Sequence, residues 1–138
     1  MTNADEQMRG AENNANAAMN GDAAMDPLAA FETLDLRIGR VVSAELNEKA
    51  RTPAYRLTID FGDASTGGLG VRESSAQLTE LYAAQGLVGR QVIAAVNLGE
   101  KVIAGVRSTV LVLGVPDEEG RVVLLSAERD VPPGGRVY

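Results

Sequence analysis

The sequence contains no cysteine and no histidine among its 138 residues. Without cysteine a disulfide framework, thiolate chemistry and zinc–thiolate sites are excluded. Without histidine the most common general base, the Ser–His and Cys–His nucleophile pairs and imidazole metal sites are excluded as well. A mechanism that uses carboxylates alone stays open, but no residue pattern points to one. We therefore expect a protein that is not an enzyme and that holds no metal and no cofactor.

Aromatic residues are scarce, and tryptophan is absent. The five rings belong to Phe31, Tyr55, Phe61, Tyr82 and Tyr138. A surface on which the bases of single-stranded nucleic acid stack needs several exposed rings. This chain has too few rings to expose several of them and also fill its core. If the ligand is a nucleic acid, we therefore expect a structured RNA that is recognised by its shape and backbone.

Long apolar runs are also missing, and the first residues lack the charged and then apolar pattern of a signal peptide. We therefore predict a cytoplasmic protein without a membrane span.

Acidic residues outnumber basic ones, which gives a net charge of −6. Residues 1–30 carry −4 of this charge and residues 31–138 carry −2, so the body of the chain is nearly balanced.

The chain divides into a tail and a domain. Residues 1–26 are rich in Asn, Ala and acidic residues and show neither a helical nor a strand period. This composition predicts a disordered acidic tail, which is either a solubilising extension or a functional arm. Residues 27–138 have the length of one compact domain.

Alternating polar and apolar residues predict strands in this domain. The clearest is "AYRLTIDFG" (54–62), which places every second residue from Tyr55 to Phe61 on one face. Gly39, inside the strand predicted for residues 34–46, suggests a bulge or a coil point. Other strands are predicted from Val71, over 90–98, over 108–115 and over 121–128. The last two flank a polar hairpin loop, which we interpret as a solvated turn and not as a metal site.

A short helix is predicted between the third and fourth strands, with Thr79 as its cap. Five to seven short strands and one helix within about a hundred residues match an all-β, five-stranded barrel of the OB type. The stretch "SSAQ" (74–77) is poor strand material. It either ends the third strand or displays a polar patch for contact with a partner.

Four blocks of sequence resemble the CsaA family: "PAYRLTIDFG", "SSAQLTELY", "LVGRQVIAAVNL" and "STVLVLG", in that order. CsaA proteins are small homodimeric relatives of the tRNA-binding domain appended to methionyl- and phenylalanyl-tRNA synthetases. The resemblance spans residues 31–138. It implies an OB-fold homodimer that binds tRNA, with a proposed role in protein export as a chaperone of unfolded polypeptides.

The resemblance also implies a set of RNA-binding residues on the rim of the barrel: Ser74, Ser75, Gln77, Asn97, Lys101, Arg107 and Ser108. Two departures from the family pattern lie beside them. Ala104 stands where the tRNA-binding relatives have an arginine. Gly99 and Glu100 replace a pair of prolines, and Glu100 adds a negative charge.

Several alternatives stay open from the sequence. Asn97 either makes local backbone hydrogen bonds or contacts a ligand, and Lys101 with Arg107 forms either a basic rim or a solvated pair of charges. The protein binds tRNA or another structured RNA through the rim, or it holds unfolded polypeptides in apolar grooves of a dimer. Apolar terminal segments such as "PLAAF" are available to reach across to the second subunit of a homodimer.

Overall fold

The computed structural model describes residues 25–138. The tail predicted for residues 1–26 therefore lies outside the described residues, apart from its last two. Within these residues the helices are α1 (Pro27–Thr33) and α2 (Ala84–Leu87), together with a 3₁₀ turn at Ala64–Thr66. The strands are β1 (Leu36–Leu46), β2 (Tyr55–Asp60), β3 (Val71–Ala76), β4 (Gln91–Ala95), β5 (Lys101–Ile103), β6 (Val106–Ser108), β7 (Leu111–Val112), β8 (Gly114–Pro116) and β9 (Val122–Leu124).

Five strands form one antiparallel sheet in the order β3-β2-β1-β4-β7. The sheet curls so that β3 approaches β6 and β7, and the result is a nearly closed five-strand barrel. The predicted OB-type barrel is confirmed. In residues 25–138 no strand ladder joins β3 to β6, which pairs with β5 in a separate hairpin. We call this junction between β3 and β6, which no strand ladder closes, the seam.

The core fills the inside of the barrel. Along β2 the alternation is as predicted, because Tyr55, Leu57 and Ile59 are buried, as is Phe61 just after the strand. The buried cluster also includes Val41, Leu78, Leu87, Val92, Val110, Val112 and Leu124.

The interpretation of Gly39 as a bulge is wrong. The register between β1 and β2 shifts at Val41/Ser43 instead. A Cβ atom on Gly39 would lie 2.6 Å from Ile59 Cγ2 and 2.7 Å from Phe61 Cε1. The glycine is therefore needed because two core side chains pack directly against its backbone.

The predicted short helix exists, but Thr79 does not cap it. Residues 79–81 form a turn, and α2 begins at Ala84 with Ala83 at the N-cap position and no side-chain hydrogen bond there. A second helix, α1, precedes the barrel and was not predicted. Asp26 caps it, with Oδ2 accepting a hydrogen bond from Ala29 N at 3.2 Å.

Candidate nucleic-acid interface

Three of the predicted RNA contacts are serines that lie in the seam. Ser108 Oγ accepts a hydrogen bond from Ser75 N at 3.3 Å and donates one to Val110 O at 3.2 Å. Ser74 Oγ donates to the same carbonyl at 3.1 Å. A hydroxyl can donate and accept at once. Ser108 therefore bridges β3 and the segment after β6 where a strand ladder is missing.

These serines are buried and not displayed on the surface. Ser74 pairs with Leu57 across β2 and β3, so its side chain points to the core. Ser75 pairs with Arg56, which faces outward, and strand β6 lies against β3 and covers it. The hydroxyls of Ser74 and Ser108 thus have a structural role, while the RNA contacts of all three serines stay a prediction.

Three buried oxygen atoms near the seam have no hydrogen-bond partner: Ser75 Oγ, Gln77 Oε1 and Thr109 Oγ1. Buried polar atoms without a partner cost stability, and native proteins keep few of them. Ser75 lies in β3, and Gln77 lies in the turn that follows it, which the hydrogen bond from Leu78 N to Ala76 O closes. A polar ligand or a water molecule that reached this end of β3 could satisfy them.

Asn97 follows β4 and uses both polar atoms of its side chain within the protein. Its Oδ1 accepts a hydrogen bond from Asp35 N at 2.9 Å, and its Nδ2 donates to Thr33 O at 2.8 Å. These bonds fasten the end of α1 to the barrel. Asp35 also pairs with Arg37 at 2.7 Å, and this hydrogen bond holds the pKa of Asp35 below its usual value. The contacts favour the structural interpretation of Asn97.

The β5–β6 hairpin carries the two predicted basic residues. Lys101 and Arg107 are exposed. The turn between the strands has positive φ at both positions, 47° at Ala104 and 84° at Gly105. This is the geometry of a tight two-residue hairpin, for which glycine is well suited and alanine is strained. Asn47 Nδ2 donates to Ala104 O at 3.2 Å and so fastens the turn to the loop after β1.

Two adjoining clefts lie beside this hairpin. The larger, of about 280 Å³, lies between the loop after β1 and the hairpin turn. The smaller, of about 230 Å³, runs over the outer side of β2 and β3. Glu45 and Arg56 line both clefts. The period of the strand indicated that Arg56 faces outward, but no motif marked it as part of a site.

The hairpin face is the name used here for the surface around these clefts and the hairpin. Its charged residues are Glu45, Glu48, Lys49, Arg56, Glu73, Glu100, Lys101 and Arg107. Four are acidic and four are basic, so their formal charges cancel. Arg56 pairs with Glu73 at 2.7 Å, a hydrogen bond that raises the pKa of Arg56. Arg107 pairs with Glu100 at 2.5 Å.

Residues 25–138 contain no cluster of three carboxylates that could hold an ion. At the loop between β8 and β9, Asp117 accepts hydrogen bonds from Glu119 N at 2.9 Å and from Arg121 N at 2.8 Å. It also pairs with the guanidinium of Arg121 at 2.8 Å. These contacts agree with the prediction of a solvated turn.

Among residues 25–138 no helix has the length and apolar character that a membrane crossing needs.

Comparison with known families identifies the domain. The family described as putative tRNA-binding domain matches residues 36–136, nearly the whole barrel. The chain belongs to this family. The methionine–tRNA ligase of Archaeoglobus fulgidus is 36% identical over 107 residues, and that of Methanocaldococcus jannaschii is 34% identical over 107 residues. The alignment covers 78% of this chain but 15% of each ligase, so the similarity concerns one domain of those proteins.

Solved structures confirm the predicted relation of this tRNA-binding domain to CsaA. The chaperone CsaA of Bacillus anthracis shares 47% sequence identity, with a TM-score of 0.74, over 83% of this chain and 100% of the neighbour. The CsaA chaperone of Picrophilus torridus shares 36% identity with the same TM-score and the same coverage. The neighbours are therefore matched over their full length, in contrast to the ligases.

Proposed function

We propose that this protein binds tRNA through the hairpin face. The family match over residues 36–136 is the observation that carries the proposal. The loops around the larger cleft also support it, because OB-type barrels hold oligonucleotides with loops in these positions. We place the activity in residues 27–138, with residues 1–26 as a separate tail, and in the cytoplasm, where tRNA is found. The activity is binding, without catalysis.

The charge of the face predicts the strength of the complex. Phosphate binding depends on Lys and Arg, whose positive charges displace counterions from the nucleic acid. On the hairpin face four basic residues are balanced by four acidic ones. We therefore expect weak to moderate affinity at physiological salt, with a clear but shallow dependence on ionic strength.

Substituting Arg56 and Arg107 together with alanine is expected to weaken tRNA binding about tenfold at low salt. Both guanidinium groups lie on the hairpin face, and each lost phosphate contact is expected to reduce the salt slope by about one. Filter binding at several salt concentrations measures affinity and slope together. Arg129→Ala is the matched control, because Arg129 is exposed and paired with Glu128 but lies outside this face.

Equal loss of affinity in the double variant and the control would contradict the location of the site. If tRNA affinity does not change between low and physiological salt, binding through phosphate contacts is wrong. If tRNA does not bind while the protein suppresses aggregation of a denatured enzyme, the second candidate function holds. That function, the holding of unfolded polypeptides during export, is favoured by the CsaA neighbours, which are described as chaperones.

We also propose that the protein is a homodimer built on helix α1. This helix has seven residues and buries none of them. A helix of this length is not stable by itself. Leu28 and Phe31 are 64% and 43% exposed, although the helix is fastened to the barrel through Asn97. A second copy, related by a two-fold axis, would cover this apolar surface with the same surface of its own.

The double substitution Leu28→Glu and Phe31→Glu is expected to raise the dissociation constant of the dimer at least tenfold. Charged side chains cannot be buried in an apolar interface without a large cost. Sedimentation at micromolar concentration measures the result, and Val88→Glu, at an exposed apolar residue before β4, is the control. A wild-type protein that sediments as a monomer would remove this proposal.

A further inference from the structure

An ion pair on the β5–β6 hairpin places a carboxylate on one of the arginines proposed to bind RNA. Arg107 Nε and Glu100 Oε1 are 2.5 Å apart, and the two side chains are 73% and 46% exposed. Arg107 is flanked in β6 by the buried residues Val106 and Ser108, so alternation directs it outward. Glu100 immediately precedes β5, the strand that pairs with β6.

The same arrangement occurs a second time on the hairpin face. Arg56 Nη2 and Glu73 Oε1 are 2.7 Å apart, with Arg56 lining both clefts. Both arginines of this face are therefore bound to a carboxylate of the same chain. A phosphate group that approaches either guanidinium meets an anion that already occupies one of its nitrogen donors.

We propose that Glu100 sets the affinity of this protein for tRNA by competing with phosphate for Arg107. The inference rests on the proposed function and goes one step further, because it assigns an opposing role to an acidic residue of the site. Exposed ion pairs are weak, so a phosphate can displace the carboxylate. A guanidinium also pairs well with phosphate, through two parallel hydrogen bonds.

When phosphate displaces Glu100 from Arg107, the complex carries a free-energy cost. Glu100 stays tethered next to Arg107 by the hairpin, and its carboxylate remains near the bound phosphate with the same sign of charge. The lost ion pair and this repulsion therefore both make the free energy of tRNA binding less favourable. The ligand class that overcomes both is a nucleic acid that presents several phosphates at once, since one phosphate alone gains too little.

Replacing Glu100 with glutamine tests the inference, because the side chain keeps its size and loses its charge. We expect E100Q to bind tRNA about three to ten times more tightly than the wild type at low salt. The salt slope should steepen by less than about one, because Arg107 contacts phosphate in both proteins and only the opposing charge is removed. In an R107A background the same substitution should change affinity less than twofold, since the arginine it competes for is gone.

The matched control is E128Q. Glu128 is also exposed and paired with an arginine, Arg129, at 3.5 Å, so the change in net charge is identical. If E100Q gains no more affinity than E128Q, or gains as much without Arg107 as with it, bulk charge explains the result and the inference is wrong. If neither the wild type nor E100Q binds tRNA, the proposed function fails too. If only E100Q binds, the inference stands and the wild-type site is blocked by its own carboxylate.

Discussion

Substituting Ser108 with alanine is expected to lower the free energy of unfolding by about 1–3 kcal/mol. The hydroxyl accepts from Ser75 N and donates to Val110 O, and both groups are buried in the seam. Removal of the hydroxyl leaves the buried Ser75 N–H without this acceptor and costs its desolvation penalty, while Val110 O keeps the hydrogen bond from Ser74 Oγ. Chemical denaturation measures the change, and the midpoint should fall with little change in slope.

The same variant separates a structural role from an RNA contact. If Ser108 acts only through the seam, tRNA affinity measured well below the melting temperature should change little. A loss of affinity without a loss of stability would show that the hydroxyl contacts RNA. Ser126→Ala is the control, because its hydroxyl is exposed and bonds only to the neighbouring Ala127 O at 3.2 Å. Its expected effect is within about 0.5 kcal/mol.

Substituting Phe61 with alanine is expected to cost about 3–5 kcal/mol of stability, the usual range for a fully buried aromatic side chain. Phe61 has no exposed surface, and its ring packs on the backbone of Gly39. The total stability of a small domain is about 5–15 kcal/mol. The variant should therefore be partly unfolded at the temperature where the wild type is fully folded, as thermal and denaturant melts will show.

Tyr138→Ala is the matched control for Phe61, because the same class of side chain is removed from a fully exposed position. We expect a change within about 0.5 kcal/mol. A loss below about 1 kcal/mol for Phe61→Ala would mean that the ring is not an essential part of the core. Phe61→Leu should recover much of the lost stability, since most of the cavity is refilled.

The strands were predictable because alternation is a local property of the chain. Residues 54–62 carry their own period, and Leu57, Ile59 and Phe61 are buried as the pattern requires. Helix α1 was not predictable in this way, since it has seven residues and buries none of them. The prediction that Thr79 caps the helix is wrong because residues 79–81 form a turn and the helix begins only at Ala84.

The site was only partly predictable. The resemblance named residues that are close in space, since Ser74, Ser75 and Ser108 meet in the seam, while their contact with RNA stays a prediction. Their burial could not be foreseen, because it depends on how β6 lies over β3. The outward orientation of Arg56 followed from alternation, but its place between two clefts depends on a loop and a hairpin distant in the sequence.

The sequence by itself predicted the positions of the main strands and a small barrel, excluded thiolate and imidazole chemistry, and indicated the family through four blocks that resemble CsaA. Period suffices for the strands and composition for the excluded chemistry, because both can be found without knowing which residues meet in space. Only the tertiary structure decided that Ser108 joins Ser75, 33 positions away, and that Glu73 pairs with Arg56. Hydrogen bonds and ion pairs form between atoms within a few ångströms, and residues distant in sequence reach that separation only when the barrel closes.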